Sequence, residues 1–447
     1  MTRRQAWQAV AVPMSAGTAR EIAASIERRI RDGDLTAGER LPTIRSLAVQ
    51  LGVSPMTVAT AYRELRRRGL VTAAGRRGTR VSERPPLAVA AAPSVPAGAR
   101  DLVTGNPDPE LLPSLAAALA AVDPTPRLYR PAATAPELAE IAREQFAADG
   151  IDASALAVVG GALDAVERVL AAHLRPGDSV AVEDPGYVRV FDLLRGAGLE
   201  LVPVGVDDFG PQPDELERAL VRGAGAVIVT PRAQNPRGSA LDGRRVRELR
   251  GLLARHPDVL VVEDDHAGAV AGAPTLSVCT PDRPHWAISR SVSKTLGPDL
   301  RLSVVVGDRE TIARVEGRQM LGTGWVSHIV QQVAVALLSD TETVARIEQA
   351  AEIYAARRLA LLDALAEHGI AAHGRSGLHV WVPVAQETAV VTGLLERGWA
   401  VMAGERWRLR SPPAIRITTA ALRPDEAHGL AADVAEVVAR RVGTYTA

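Results

Sequence analysis

Lysine occurs once in this chain, at position 294, although Lys and Arg together number 52. Every other side-chain cation of that pair is a guanidinium. A position that keeps a primary amine therefore points to chemistry a guanidinium cannot do, above all attack on an aldehyde to form a Schiff base. Lys294 lies in WAISRSVSKTLGPDLRLS, residues 286–303, with Ser291 before it and Arg301 after it. A hydroxyl and a guanidinium beside a reactive amine suit a phosphate-bearing carbonyl compound. Upstream, Asp264 closes the apolar run DVLVVED and is placed to accept a hydrogen bond from a protonated pyridine nitrogen, which keeps such a ring electron-withdrawing. Asn235, after AVIVTPRAQ, is placed to reach a ring hydroxyl, and Tyr187, after SVAVEDPG, to stack on a flat ring. Gly160-Gly161-Ala162 precedes a helix whose open amides and dipole favour a phosphate. Each residue also has an ordinary structural use: a Gly pair before a helix is more often a tight turn, and a lone Lys is often a surface charge. Their shared order and placement single out one site.

Each of these groups falls where a strand-like run gives way to a loop or helix. From about residue 101 onward, short Val/Ile/Leu runs alternate with amphipathic stretches, including a helix over 136–148. That alternation predicts a largely parallel sheet covered on both faces, with ligands at the carboxyl ends of its strands.

The first eighty residues read as a separate device. Residues 1–82 carry fifteen Arg and six acids, an excess of nine positive charges that the rest of the chain cancels to a formal net charge of +0. A basic segment on a mildly acidic body implies a polyanionic partner for that segment alone. Helical periodicity runs from Thr18 to Ile30, with Ile22, Ile26 and Ile30 on one stripe. A second helix is expected from an N-cap at Thr43 through Leu51, with Ile44, Leu47, Ala48 and Leu51 inward. After Gly52-Val53, Ser54 caps a third helix to about Arg68, burying Val58, Ala61, Tyr62 and Leu65. VTAAGRRGTRVS then has the size of a two-stranded wing with Gly75 and Gly78 at its tip. Two short helices around a tight turn, followed by a wing, are the organisation of a DNA-binding helix-turn-helix. The third helix would present Ser54, Met56, Thr57 and Thr60 to base edges, while Arg40, Arg45, Arg63, Arg76, Arg77 and Arg80 neutralise phosphates.

Residues 82–100, SERPPLAVAAAPSVPAGAR, form a Pro/Ala-rich connector without useful periodicity. The single cysteine, Cys279, excludes an intrachain disulfide framework and fits a reducing compartment, where it is most simply a small core residue. No secretory signal pattern opens the sequence, and no apolar stretch reaches membrane-spanning length. A cytoplasmic protein is the expectation.

LPTIRSLAVQLGVSPMTVATAYRELRRRGLV with GRRGTRV resembles the winged helix-turn-helix of the GntR family of bacterial transcription regulators. Asp264 in VVEDDHAG, Asn235, Tyr187, Ser291, Lys294 and Arg301 resemble the cofactor-holding residues of a fold type I pyridoxal-phosphate aminotransferase, and Arg416 in PPAIRITTAAL its substrate-carboxylate Arg. The two halves together look like the MocR group of regulators. The resemblance implies a winged helix-turn-helix domain over 14–81, a linker over 82–100, an α/β aminotransferase-like large domain over 101–320, and an interdomain helix with a C-terminal α+β small subdomain over 321–447. It implies a homodimer that binds a double-stranded DNA operator and holds pyridoxal 5'-phosphate on Lys294 as an aldimine. Such a protein would sense that cofactor, or a small amine or amino acid reacting with it. The alternative is an aminotransferase with an accessory DNA-binding head. This chain departs from the pattern at several places. Thr43 stands where Ser is usual, Pro55 where Arg is common, and His266 where relatives carry Tyr, so a pH-sensitive imidazole is expected beside the cofactor. Gly161 and Ala162 lack the usual polar side chains, leaving the phosphate to backbone groups, Ser291 and Arg301. Tyr129 keeps only part of its motif and would reach the phosphate of the neighbouring subunit.

Overall fold

Thr18 shows why the chain turns helical where it does. The computed structural model describes residues 18–73, 78–82, 95–129 and 132–442. The Thr18 hydroxyl accepts from the Glu21 amide and the Glu21 carboxylate accepts from the Thr18 amide, closing a capping box ahead of helix α1, Ala19–Arg31. Thr43 and Ser54 likewise cap α2, Ile44–Leu51, and α3, Pro55–Arg67. Gly52 ends α2 in the left-handed conformation, φ 65°, which makes the tight turn of the motif possible. The wing is an antiparallel ribbon of β1, Val71–Ala73, and β2, Thr79–Val81. Gly75, Arg76 and Arg77 lie outside the described residues.

The head has its own core, in which Ile22, Ile26, Leu47, Ala48, Val58, Ala61, Tyr62 and Leu65 meet Leu35, Leu41, Val71 and Val81. The Tyr62 hydroxyl donates to the Pro42 carbonyl at 2.8 Å, tying α3 to the start of α2. Ile44 was expected inside but is exposed, and Ile30 and Leu51 are only partly covered. In the first turn of an eight-residue helix, Ile44 lies beyond the stripe that Leu47 and Ala48 bury.

In the body, β3 (Leu156–Val159), β4 (Ser179–Asp184), β5 (Glu200–Asp207), β6 (Gly210–Pro211), β7 (Ala224–Val229), β8 (Leu260–Asp265), β9 (Trp286–Ser291) and β10 (Ser303–Gly307) build one sheet. Their order is β3-β10-β9-β8-β7-β4-β5-β6. The central strands β9, β8, β7 and β4 run parallel, and β10 runs antiparallel to both its neighbours. The parallel strands are buried along their lengths, as continuous Val/Ile/Leu runs require. Helices α4 (Pro136–Ala148), α5 (Ala162–His173), α6 (Val188–Gly196), α7 (Pro213–Val221), α8 (Gly243–Ala254), α9 (Arg309–Met320) and α10 (His328–Ser339) connect or cover them. Cys279 is free and buried in this core.

Helix α11, Thr341–Glu367, crosses two cores: Ile347, Ala350 and Tyr354 belong to that of the large sheet, and Leu361, Ala364 and Leu365 to a second. The second core lies under a smaller antiparallel sheet of β11 (His379–Pro383), β12 (Met402–Ala403) and β13 (Ala414–Thr418), ordered β11-β13-β12. Helices α12, Glu387–Leu395, and α13, Pro424–Val442, complete it. Leu102, just after the connector, is fully buried in this second core. No described helix is long and apolar enough to cross a membrane.

Candidate functional site

Two adjacent carboxylates at the end of β8 have opposite fates. Asp265 receives two hydrogen bonds from Arg232 at 2.8 Å each and one from Arg290 at 2.9 Å. Burial pushes it up, but these two guanidiniums more than reverse the effect and hold it down at about 2. Asp264 points to the other face, as strand alternation demands. It is buried, its Oδ1 has no partner, and burial, reinforced by Asp265 and Glu183, pushes its carboxyl up to about 7. A buried acceptor left unpaired costs about 1–3 kcal/mol. A protonated ring nitrogen placed against it would remove that cost, and this is the observation on which the residues fit a pyridine cofactor.

The groups around Asp264 converge on the same pocket. Lys294, three residues beyond β9, donates from Nζ to the Gly105 carbonyl. Burial, and then the Arg416 guanidinium, lower its pKa to about 8, so a useful fraction is a neutral nucleophile near pH 7. Arg416, on β13, is 4% exposed. It donates to Asn235 Oδ1 at 3.2 Å and to the Val103 carbonyl, and its guanidinium lies 4.4 Å over the Trp407 ring. Burial lowers it only to about 10, so it keeps its charge. Asn235 thus spends its oxygen on Arg416 and has its amide hydrogens left for a ligand. Tyr187 is largely covered, packs against Val188, Trp381 and Trp407, and lies within electrostatic reach of Asp264 and Arg416. His266 was expected to titrate near neutrality. Burial, with the Lys294 charge second, instead depresses it to about 4, so its charge is fixed across the neutral range.

The phosphate side is built differently. Gly161 precedes α5 with φ 105°, and its own amide donates to the Val159 carbonyl. The open amides therefore begin at Ala162, in the first turn of α5. Arg301 donates to the Gly160 carbonyl at 3.0 Å and adopts a left-handed φ of 46°, which costs a residue with a Cβ about 1–2 kcal/mol. A Cβ on Gly161 would fall 2.7 Å from Arg301 Nη2, so Gly161 supplies room as well as a turn. The Ser291 hydroxyl is buried and joined to Ser293 Oγ at 3.0 Å. Tyr129 is 84% exposed and stands edge-on to Trp325, ring centroids 5.8 Å apart; it is not among the groups gathered here.

Several residues of the pocket were not read from the sequence. Glu183 accepts from the Thr230 amide and hydroxyl and from the Gln234 side chain, and burial lifts it to about 7. Gly105 offers its carbonyl to Lys294. His379, on β11, sits within reach of Lys294, Arg416 and His266. The alternation in LHVWVP, read against AIRIT, was the one signal for His379.

In the head, Arg40, Arg45, Met56, Thr60, Arg63 and Arg80 are exposed, Met56 at 68%, and Thr57 is half-buried. Ser54 Oγ accepts from the Thr57 amide at 3.1 Å and lies 2.8 Å from Thr57 Oγ1. Arg80 donates to the Gly38 carbonyl at 2.7 Å and pairs with Arg40 across a β-bridge. Arg68 instead binds Glu27 and Glu64, holding α3 to α1.

Comparison with known proteins follows the same division. Residues 98–434 match the family model of aminotransferase class I and II, and residues 18–81 that of bacterial regulatory proteins, gntR family. The vitamin B6 salvage pathway transcriptional repressor PtsJ of Salmonella typhimurium is 43% identical over 95% of this chain and 99% of its own length. The pyridoxine biosynthesis transcriptional regulator PdxR of Corynebacterium glutamicum is 28% identical over 86% of this chain and 87% of its own. Among solved structures, the kynurenine aminotransferase of Pyrococcus horikoshii superposes with a TM-score of 0.70 at 22% identity, covering 77% of this chain and 91% of that one. That likeness establishes the fold of the body.

Proposed function

The chain belongs to the MocR group of GntR-type transcription regulators, a winged helix-turn-helix joined to a fold type I aminotransferase-like body, and from that premise we propose that it is an operator-binding regulator controlled by what its body holds at Lys294. The ligand we assign is pyridoxal 5'-phosphate, alone or together with an amine or amino acid. The observation that carries this reading is the buried Asp264 carboxyl with an unpartnered oxygen, in the same body as a buried lysine whose pKa is lowered to about 8, on a chain whose head exposes a recognition helix. The names of PtsJ and PdxR, both tied to vitamin B6, point the same way.

When bound, the cofactor supplies an electrophilic aldehyde carbon and an electron-withdrawing ring. The residues of this chain do the rest. Lys294 would offer its amine to that carbon; Asp264 would accept from the ring nitrogen; Tyr187 would cover the ring; Asn235 and the neutral His266 would serve the ring oxygen. Ala162, Ser291 and Arg301 would hold the phosphate, with Gly161 leaving space. Arg416 would orient the carboxylate of an incoming effector. Leu128, Tyr129, Met320, Leu321 and Ile329 are exposed apolar residues available to a second copy of the chain, and in the homodimer we propose, Tyr129 would serve the partner's phosphate.

Occupancy has a physical route toward the head. Residues 100–105 continue directly from the connector; the Arg100 and Leu102 amides donate to Gly398 and Ala400, and the Val103 and Gly105 carbonyls accept from Arg416 and Lys294. A ligand that engages either cation competes with those bonds and so acts on the segment leading to the DNA-binding domain, in the cytoplasm of a bacterial cell. The test is a DNA-binding titration of cofactor-stripped protein, repeated with pyridoxal phosphate and with candidate amines. Affinities that differ between the three states are expected, and equal affinities over the whole concentration range would sink the proposal. A second reading, an aminotransferase, is favoured by the Lys294 pKa of about 8, which suits proton transfer. Multiple turnovers between an amino donor and an oxoacid, lost in Lys294→Ala, would establish it.

A further inference from the structure

His379 is buried, at 4% exposure, and lies at the pocket without a role given to it above. Its strand pairs with β13 so that His379 stands opposite Thr418 and Trp381 opposite Arg416. Because alternate residues share a face, His379, Thr418 and Arg416 all present to the same side. The Cε1 and Nε2 atoms of His379 come to 3.3 and 3.5 Å from the point where a Cβ on Gly105 would stand, and Arg416 Nη1 to 3.9 Å from that point. The Gly105 carbonyl in turn accepts from Lys294. The imidazole edge, the guanidinium and the amine therefore converge over one residue that has no side chain.

We propose that His379 is a specificity-determining residue of this pocket, donating from Nε2 to the same carboxylate that Arg416 binds, and that the effector class is therefore amino acids rather than simple amines. This rests on the reading of Lys294 as the cofactor-holding residue. The Nδ1 atom lies 3.2 Å from the Thr418 hydroxyl, whose only hydrogen-bond partner among the described residues is that ring. A hydroxyl donating to Nδ1 leaves the ring proton on Nε2, which has no hydrogen-bond partner among the described residues. Burial, followed by the charges of Arg416 and Lys294, keeps the ring neutral. A neutral donor beside two cations adds direction to carboxylate binding without adding a third charge to be buried. Most buried side-chain nitrogens are hydrogen-bonded within the protein, and His379 satisfies one of its two.

The experiment uses the full chain loaded with pyridoxal phosphate and two probes that differ by the carboxylate alone, L-alanine and ethylamine, titrated by absorbance. Wild type should bind alanine at least about tenfold tighter, the range expected of a hydrogen bond to a charged group. His379→Phe keeps the ring volume and removes the donor; it should cut that ratio to about threefold or less by weakening alanine binding more than ethylamine binding. His379→Gln, with an amide nitrogen near the Nε2 position, should restore most of the preference. Parallel loss of both probes in the Phe variant, an unmoved ratio, or a wild type without preference would each overturn the assignment. A wild type that forms no borohydride-trappable adduct at Lys294 would overturn the cofactor reading and this inference together. An adduct with an unmoved ratio would overturn this inference alone.

Discussion

The head and the body handle polar residues in opposite ways. The head hides Leu65, Val58 and Ala61 completely and leaves Met56, Arg45, Thr60 and Arg63 in solvent. Its stability and its means of contact occupy different faces of the same helix. The body buries its working groups: Asp264, His379 and Arg416 are each under a tenth exposed, and burial shifts the pKa of all three. Groups in solvent can be exchanged at little cost to the fold, whereas buried polar groups carry a penalty until a ligand meets them. Exchange of the body's ligand-facing groups is therefore coupled to stability, and exchange of the head's exposed contact residues is much less so.

The largest expected effect tests that separation directly. Lys294→Ala should abolish the borohydride-trappable cofactor adduct outright, read by mass spectrometry of the digested protein. Operator affinity of the cofactor-free variant, read by fluorescence anisotropy, should stay within about twofold of wild type, the scale of an uncoupled surface change. A large loss of cofactor-free affinity would mean that the two regions do not keep their roles apart. Next comes Asp264→Asn, which removes the charge-assisted partner of the ring nitrogen and should weaken cofactor binding by roughly 10- to 100-fold. The same change should stabilise the cofactor-free protein. Burial first, with Asp265 and Glu183 adding to it, raises Asp264 in the folded state to about 7, above its unfolded value. The folded form therefore binds more protons, and the stability tied to this group is lost as pH rises from the ordinary carboxyl range to about 7. The melting temperature of the Asn variant should exceed that of wild type at pH 8 and approach it at pH 4.

Local features were the ones the amino-acid order made readable. Thr43 and Ser54 cap helices because a hydroxyl and an amide three residues away need nothing else. The solitary Lys294 and the strand ends at Asp264 and Ser291 were visible for the same reason, as composition and alternation along one run. Facts that depend on distant partners were not visible. The dominance of burial over His266 follows from what surrounds it, so the expected titration near neutrality does not occur. The close approach of the Arg301 guanidinium to Gly161 joins positions far apart in the chain. The place of His379 beside Arg416 is set by the pairing of β11 with β13, which periodicity within either strand does not reveal.

On the head, the expected effects are smaller and separate contact from scaffold. Arg63→Ala, on the exposed side of α3, should weaken operator binding several-fold and similarly across sequences. The plot of log affinity against log salt should become shallower by about one, the change expected when one fewer phosphate is neutralised. A change in sequence preference with an unchanged slope would make Arg63 a reader of bases instead.

Ser54→Ala gives the smallest effect and the finest division. The Ser54 oxygen accepts from the Thr57 amide at 3.1 Å, so its first duty is to the helix end. Loss of such a cap costs about 1 kcal/mol, whereas Gly at the same position costs only a few tenths. Hydrogen exchange at the Thr57 amide should therefore quicken about fivefold in the Ala variant and much less in Ser54→Gly. Operator affinity should follow that order for cognate and unrelated DNA alike. If Ala and Gly instead lose cognate binding equally while exchange separates them, the hydroxyl is reading a base, and in this one residue contact and scaffold coincide.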